Sequence, residues 1–414
     1  VTDNAGMGSE GAGRGVDEAV GASASGAGGI RRRRRRWVRY GALGLCGLVV
    51  VAGGAGVAVY LKLDGNITRD EAAAAELARF ERERPTSLVR DARNILLIGS
   101  DSRAGDGNRP YGRDSGTERS DTTILLHLTA GRRSATAVSI PRDLMVDVPG
   151  CRRPDGSRTE PMFAMFNYAF QAGGSACTVR TVERLTDIRV DHHAVVDFRG
   201  FKEMVDAVDG VRICLAEPID DKAAKLRLPA GEVTLDGEQA LGYVRARKSL
   251  GDGSDTDRMD RQQRFLAALV NKVWSNGVLL NPVKLYPVLD AATSSLTTDP
   301  DLASLRGLYE LARGLRDIPT ERVQFLTVPR ESYLYNANRD QLVEPEAEKL
   351  FERLRTDTPL EVAGPSGYSG YRSYDHEGGY SDGKGAAERP GEPAADPAPT
   401  PTFRGNTAAE DACG

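Results

Sequence analysis

Arginines stand close to aspartates or to one another at five places along the chain: GSDSR at 99–103, RSD at 119–121, PRD at 141–143, YVRAR at 243–247 and DTDRMDRQQ at 255–263. Guanidinium groups gathered around one hollow grip phosphate-type anions with paired hydrogen bonds. Asp101 and Asp121 each have an arginine two residues away, Arg103 and Arg119. Such carboxylates are the hard oxygen donors that Mg2+ takes beside substrate phosphate oxygens. Arg142 and Asp143 are adjacent, and Arg245 and Arg247 lie two apart, so an extended backbone would aim the latter pair at one face. Arg258, Arg261 and Gln262 are spaced i, i+3, i+4, which in a helix sets them on one face of its opening turns, where backbone amides and the helix dipole also attract anions. The stripe continues through Phe265, Leu269 and Val273, so a polar grip passes into an apolar wall, as suits an amphipathic phosphorylated ligand. The same apolar spacing is also ordinary core. Taken singly, each cluster has a plain alternative: an Asx turn at Asp101, a solvated edge at Arg245 and Arg247, a charged helix face over 255–264.

Three of these clusters sit at the ends of predicted strands, NILLIG at 94–99, TTILLHL at 122–128 and ATAVSI at 135–140, short apolar runs bounded by turn-formers or Pro141. A helix is predicted at 178–188, a strand at 192–198, a helix at 201–208 and a strand at 211–215. From Asp257 to about Arg355 the pattern is mostly helical, with a strand at VQFLTV, 323–328. Strands alternating with helices define an α/β class, a layered mixed β-sheet flanked by helices, in which ligands bind at strand ends. The predicted body spans 91–358, with its core motifs at 94–263. Beyond Pro359 the chain turns to Gly, Tyr, Ser and then Pro, and 359–414 is expected to be disordered.

The 414 residues carry a net charge of −4 that hides an uneven distribution, with six consecutive arginines at 31–36. Residues 41–61, GALGLCGLVVVAGGAGVAVYL, contain no charge and suffice to cross a hydrocarbon core of about 30 Å as a transmembrane helix. A signal peptide has a shorter apolar region, about 7 to 15 residues, and no small-residue cleavage site follows Leu61, so an uncleaved anchor is expected. Arg31 to Arg36 and Arg39 precede the span, and the positive-inside rule then keeps residues 1–36, a disordered basic tail, in the cytoplasm and sends the chain after Lys62 outside. That location disfavours a nucleic-acid-binding regulator. Residues 62–90, rich in helix formers before Pro85, read as a helical stalk.

Of five cysteines, Cys151, Cys177 and Cys214 fall in the exported body; three pairings are open, and Cys177 with Cys214 is preferred. The four histidines show no zinc-type spacing, and His192 and His193 would point to opposite faces of a strand, in ordinary packing.

In this order, NILLIGSDSR, RSDTTILLHL, AVSIPRDLMVDVPG, FNYAFQAGG, TVERLTDIRVDHHAVVDFRGF, MVDAVDGV, LDGEQALGYVRAR and DRMDRQQ resemble the LytR-CpsA-Psr (LCP) family of bacterial cell-wall assembly proteins, over about Asn94 to Gln263. The resemblance implies an LCP-type domain and a phosphotransferase that moves a glycopolymer from a polyprenyl-pyrophosphate carrier to peptidoglycan, typically onto a muramic acid hydroxyl. It implies Mg2+ at Asp101 and Asp121, with Arg119, Arg142, Arg245, Arg247, Arg258 and Gln262 around the pyrophosphate; Arg103 and Arg261 are further candidates. It also implies an apolar cavity for the polyprenyl chain. Asp121 or Asp143 is a candidate acceptor for the hydroxyl proton. Two departures stand out: Met165 where many members have a lysine-containing segment, and Asp209 in DGV where a glycine is usual. Two other classes fit the same residues, a non-enzymatic polyprenyl-phosphate-binding surface protein or sensor, and a pyrophosphate hydrolase that uses water in place of the sugar hydroxyl.

Overall fold

Apolar runs with turn-formers at their ends become the strands at the centre of the molecule. The computed structural model describes residues 27–100, 120–153, 155–246, 255–275, 282–364 and 402–410. In chain order, α1 (Ala27–Asn66) is followed by β1 (Thr68–Arg69), α2 (Glu71–Arg79), β2 (Arg93–Ser100), β3 (Ser120–Leu128), β4 (Ala135–Ile140), the hairpin of β5 (Met145–Val148) and β6 (Met162–Met165), α3 (Tyr168–Thr186), β7 (His192–Val196), α4 (Phe198–Ala207) and β8 (Val211–Leu215). There follow β9 (Ile219–Asp221), β10 (Leu226–Leu228), β11 (Gly231–Leu235), α5 (Gly237–Arg245), α6 (Asp255–Ser275), α7 (Pro282–Ser295), β12 (Leu296–Thr298), α8 (Leu305–Arg316), β13 (Val323–Thr327), the hairpin of β14 (Arg330–Tyr333) and β15 (Asn336–Leu342), α9 (Glu344–Arg355), β16 (Glu361–Ala363) and β17 (Thr402–Thr407).

The chain divides into two units, residues 1–59 and 60–414. In the first, α1 exposes Leu43, Val50 and Val51, apolar side chains that only a nonpolar surrounding would cover. Arg39–Asn66, 28 residues, is the one helical stretch among the described residues long and apolar enough to cross a membrane.

In the second unit a nine-stranded mixed sheet has the order β1-β12-β7-β2-β3-β4-β13-β17-β16. β2 is parallel to β7 and antiparallel to β3; β3 is antiparallel to β4, which is parallel to β13. The ends of β2, β4, β7 and β13 and the start of β3 therefore share one edge, where Ser100, Asp121 and Arg142 are found. Alternation along the strands divides the core. Leu96, Ile98, Leu125, Val138 and Ile140 face α2, α3 and α9, whereas Ile95, Ile124, Leu128, Ala135 and Ala137 face α6 and α8. A third apolar cluster joins β8 to β11 with α4, α5 and Phe265 of α6. β8 was expected as a strand and is one, but it pairs with β11 outside the central sheet. Asp209, at φ 60°, and Gly210, at φ 74°, make the turn into β8, a left-handed geometry that Asp tolerates, so the departure at Asp209 falls in a turn.

The adjacent histidines of β7 do point apart and serve as ties. His192 Nδ1 lies 3.1 Å from Asp299, and His193 Nε2 lies 3.3 Å from Asp70, which also accepts from the Ser175 hydroxyl. The hydrogen bond to Asp299 holds the His192 pKa above its ordinary value despite burial. These pairs fasten the segments around β1 and β12 to the sheet.

Three expectations are corrected. Residues 62–90 are part of the body rather than a separate stalk: Ala73 and Leu77 of α2 are buried in the main core, and Arg84 makes a buried ion pair of 2.8 Å with Glu183 on α3. The disulfide is Cys151–Cys177, and Cys214 is oxidised in a different bond. Cys177 on α3 faces the loop that carries Cys151, and this approach is close enough that a Cβ at Gly173 would lie 2.9 Å from the Cys151 Cβ. Cys214 lies instead on β8, opposite Glu232 of β11. Finally, the region after Pro359 does not all lack structure. β16 and β17 extend the sheet, with β17 antiparallel to β13 and parallel to β16, and Phe403 and Ala408 are buried.

Gly405 in β17 pairs with Leu326, and a Cβ there would lie 2.2 Å from the Phe325 carbonyl oxygen. Gly405→Ala is predicted to destabilise the protein by about 1–3 kcal/mol, the usual cost of overpacking, read as a lower thermal midpoint by circular dichroism. An unchanged midpoint would show that β17 does not dock at this position.

Candidate active site

The chain leaves β4 at Ile140 and turns over Pro141 to Leu144, whose amide donates to the Pro141 carbonyl at 3.2 Å. This turn presents Arg142 at the sheet edge. Its Nη1 donates to Asp121 Oδ1 at 3.0 Å, at the start of β3, and its Nε to Asp143 Oδ2 at 3.3 Å. Arg142 and Asp143 are each mostly buried, with Asp121 about a third exposed. The turn is rigidly backed: the Arg142 and Leu144 carbonyls accept from the amides of Asn167 and Phe166, and the Asp143 carbonyl accepts from the Asp340 amide at 3.1 Å. Arg339 lies 3.8 Å from Asp143, while Arg330 pairs with Asp340. The hairpin residues Arg330, Arg339 and Asp340 carried no signal in the sequence, because their proximity to Arg142 comes from pairing between remote segments.

The second half of the site comes from α5 and α6. Asp236 caps α5 through a capping box with Gln239, and the helix ends at Arg245 with its guanidinium 4.5 Å from the Phe198 ring centre. Arg245 is therefore helical, so the two-residue spacing to Arg247 does not work through an extended backbone here: the local sequence LDGEQALGYVR holds the cap and helix signals. α6 does form as expected. Arg258 and Arg261 are 5% and 7% exposed, so each guanidinium acts in a setting with little water to screen it. Arg261 donates to the Ala246 carbonyl and Gln262 to the Val244 carbonyl at 3.1 Å, so these two hold the C-terminal end of α5. Burial draws the Arg261 pKa below its ordinary value, with Tyr243 and nearby aspartates opposing that shift.

Gln263, passed over in the sequence, links the two halves. Buried at 3% exposure, its amide donates to Ser139 Oγ at 3.1 Å and Thr327 Oγ1 at 2.8 Å, at the ends of β4 and β13. Ser139 is three residues before Arg142. The first half of α6, with Arg258 and Arg261, is thus stapled to the edge that presents Arg142 and Asp121. Further along, Phe265 is fully buried against Phe201 and Tyr243, and Leu269 and Val273 pack on the same cluster, so the apolar stripe of α6 is core.

Asp101, Arg103, Arg119 and Arg247 lie outside the described residues. Asp121 supplies hard carboxylate oxygens of the type Mg2+ prefers, one of them already bonded by Arg142. Among the described residues no group of three or more His, Cys, Asp and Glu is placed to hold a metal. Donor chemistry at Asp121 fits an ion whose remaining positions come from phosphate and water. On the opposite sheet face from α6, a cavity of about 690 Å³ opens beside Ser100, lined by small apolar residues such as Ala73 and Ala176 and by charged ones including Asp70, Arg152 and Asp197.

A mixed sheet with guanidinium groups and carboxylates assembled at one edge defines an α/β domain with a charged sheet edge, here in one chain with a helix of membrane-spanning length. Residues 60–356 match the LytR_cpsA_psr family, and the chain belongs to that family. It is 37% identical over 280 residues to a probable cell wall biosynthesis protein, LcpB, of Corynebacterium glutamicum, covering 66% of this chain and 62% of that one. The chain thus spans about three fifths of that relative's length. It is 29% identical over 332 residues to the polyisoprenyl-teichoic acid–peptidoglycan teichoic acid transferase TagT of Bacillus subtilis, covering 77% of this chain and 95% of that one. The crystal structure of B. subtilis TagV superposes with a TM-score of 0.50 and 26% identity, covering 65% of this chain and 98% of that chain.

The staple at Gln263 yields a direct check. Gln263→Leu removes both donors and leaves two hydroxyls at the sheet edge, a loss predicted at about 1–3 kcal/mol for unsatisfied buried polar groups and measurable by denaturant unfolding. Wild-type stability in this variant would remove Gln263 as the anchor of α6.

Proposed function

We propose that this protein is a phosphotransferase that moves a glycopolymer from a polyprenyl-pyrophosphate carrier to peptidoglycan. The observation that carries this reading is the joining of Arg142, Asp121 and Asp143 to the Arg258 and Arg261 helix at one sheet edge, through Gln263. The family membership and the name of TagT supply the substrate class. In the reaction, an acceptor sugar hydroxyl attacks the phosphorus next to the glycopolymer. A new oxygen–phosphorus bond forms as the bond to the bridging oxygen breaks, and polyprenyl phosphate leaves with the bridging electrons.

Such a transfer asks mainly for positioning and charge stabilisation. Arg142, held between Asp121 and Asp143, is oriented before substrate arrives and has little reorganisation left to undergo. Arg258 and Arg261 supply further positive field from a poorly hydrated position, and Arg245 stands at the outer end of α5. Asp143 is the acceptor for the hydroxyl proton, and Arg339 at 3.8 Å adds to the charge around it. Asp121, with Asp101, would hold Mg2+, which when bound neutralises phosphate charge. The arginines before the apolar helix put the N-terminus in the cytoplasm and the domain outside the membrane, where peptidoglycan is built.

The test uses the full chain in detergent with a lipid-linked polymer and a peptidoglycan acceptor. Arg142→Ala is predicted to slow transfer on the order of 100-fold or more with the circular dichroism melt retained; unchanged turnover would defeat the assignment. Product formed only when acceptor is present identifies a transferase, whereas polymer phosphate released without it identifies a hydrolase, and binding without product a carrier protein.

Metal removal checks the carboxylate role separately. Transfer is predicted to stop in excess chelator and to return on adding Mg2+, while full activity in chelator would exclude a metal role for Asp101 and Asp121.

A further inference from the structure

Outside α1, the exposed large apolar residues of the described chain are Leu88, Tyr286, Tyr309, Met162, Phe163, Leu334 and Tyr335. The last four belong to two hairpins, β5–β6 and β14–β15. Phe163 is 54% exposed and Tyr335 82%. They are joined through Tyr333, whose ring centre is 6.1 Å from that of Phe163 and 5.4 Å from that of Tyr335, edge-on. These rings touch one another in a connected run at the surface, which marks a binding surface.

Its placement narrows the ligand. Both hairpins are direct extensions of the turn bearing Arg142 and Asp143. β5 begins at Met145, Leu144 bridges to Asp340 of β15, and Asp340 and Arg339 bond the Asp143 backbone and face its carboxylate respectively. Tyr333 pairs with Asn336 at the hairpin tip, four residues out from Asp340, or on the order of 10 Å along a strand. The chemistry is mixed as well. The paired strands also carry amides, Asn336, Asn338 and Gln341, and more acids, Asp147 opposite Phe163, Glu331 and Asp340, than bases, Arg330 and Arg339. A surface made for anionic lipid would carry an excess of Lys and Arg. Aromatic faces beside amide donors and acceptors, without an excess of positive charge, suit a saccharide, whose rings have an apolar C–H face and a hydroxyl rim.

We propose that Phe163, Tyr333 and Tyr335 form a stacking platform for the acceptor glycan, a chain of N-acetylhexosamine units laid along the two hairpins so that one hydroxyl reaches Asp143. The proposal rests on the phosphotransferase reading. The arginines of α6 and α5 hold the donor's phosphates, and the hairpins, which bond Asp143 from its other side through Arg339 and Asp340, guide the acceptor.

The test uses the full chain in lipid nanodiscs, with a tetrasaccharide of β-1,4-linked N-acetylglucosamine as probe. Phe163→Ala and Tyr335→Ala are expected to weaken tetrasaccharide binding at least fivefold by saturation-transfer NMR and to raise the acceptor KM by a similar factor, with the donor KM and the kcat at saturating acceptor within about twofold of wild type. Tyr335→Phe, which keeps the ring, is expected to retain binding. A Tyr335→Trp variant should shift its emission to the blue on adding the tetrasaccharide. Quenching of that emission by brominated lipid would place the tip in the bilayer surface and overturn the proposal, as would wild-type binding and acceptor KM in both alanine variants. Absence of transfer by the wild-type protein would overturn the phosphotransferase reading alone, because the NMR binding result reports on the platform independently.

Discussion

Holding arginine charge away from water is the constraint on which this domain depends. Removing an ion from water costs several kcal/mol even after a protein relaxes around it, unless partners meet the charge. Arg142 is met by two carboxylates, Asp121 from one strand and Asp143 from its own turn. Arg261 is met by a backbone carbonyl beyond the end of α5, where the helix dipole places partial negative charge. These solutions need fixed geometry, since a carboxylate or carbonyl displaced by an ångström no longer compensates a buried guanidinium. The rigidity that the proposed phosphoryl transfer would ask of these groups is thus already enforced by the stability of the resting protein.

The sheet makes such fixing possible. Parallel pairing of β4 with β13 and antiparallel pairing with β3 bring a strand start and two strand ends to one edge. Gln263 bonds to two of those ends at once. Because β4 is buried along its whole length between two apolar layers, a slip of one residue would turn each core side chain toward the wrong layer. Register in the core therefore sets the relative height of Asp121, Arg142 and α6. The ring platform inherits the same register through the Leu144–Asp340 bridge.

The central strands and the helices α3, α4 and α6 were legible because their signals are local: apolar alternation, caps and turn residues within a dozen positions. That Arg142 and Asp121 meet could be read from their places at strand ends. What escaped was set by distant pairing. β17, TFRGNT, has one large apolar residue and follows a proline-rich stretch, so no periodicity announces it; it is a strand because β13 and β16 supply its hydrogen bonds. Cys151 and Cys177 meet through the approach of α3 to a loop at Gly173, where spacing along the chain has no influence. At Arg245 the backbone is helical, because the capping box that opens α5 outweighs the two-residue interval that an extended chain would exploit.

The late strand also changes what counts as the functional domain. Residues 361–363 and 402–407 lie beyond the segment 60–356 that matches the family, yet β17 covers the edge of β13 that would otherwise present unpaired amides and carbonyls. From β17, Arg404 reaches Asp260 at 2.9 Å, two residues from Arg258 and adjacent to Arg261. With Arg404 41% exposed, that ion pair contributes at most about 1 kcal/mol, so it serves as a guide for α6 while the nonpolar burial of Phe403 and Ala408 holds the strand. The helix bearing the buried arginines is therefore fixed from two directions, by Gln263 at the sheet edge and by the returning chain at its flank. An addition outside the shared family segment thereby bears on the geometry of the shared site.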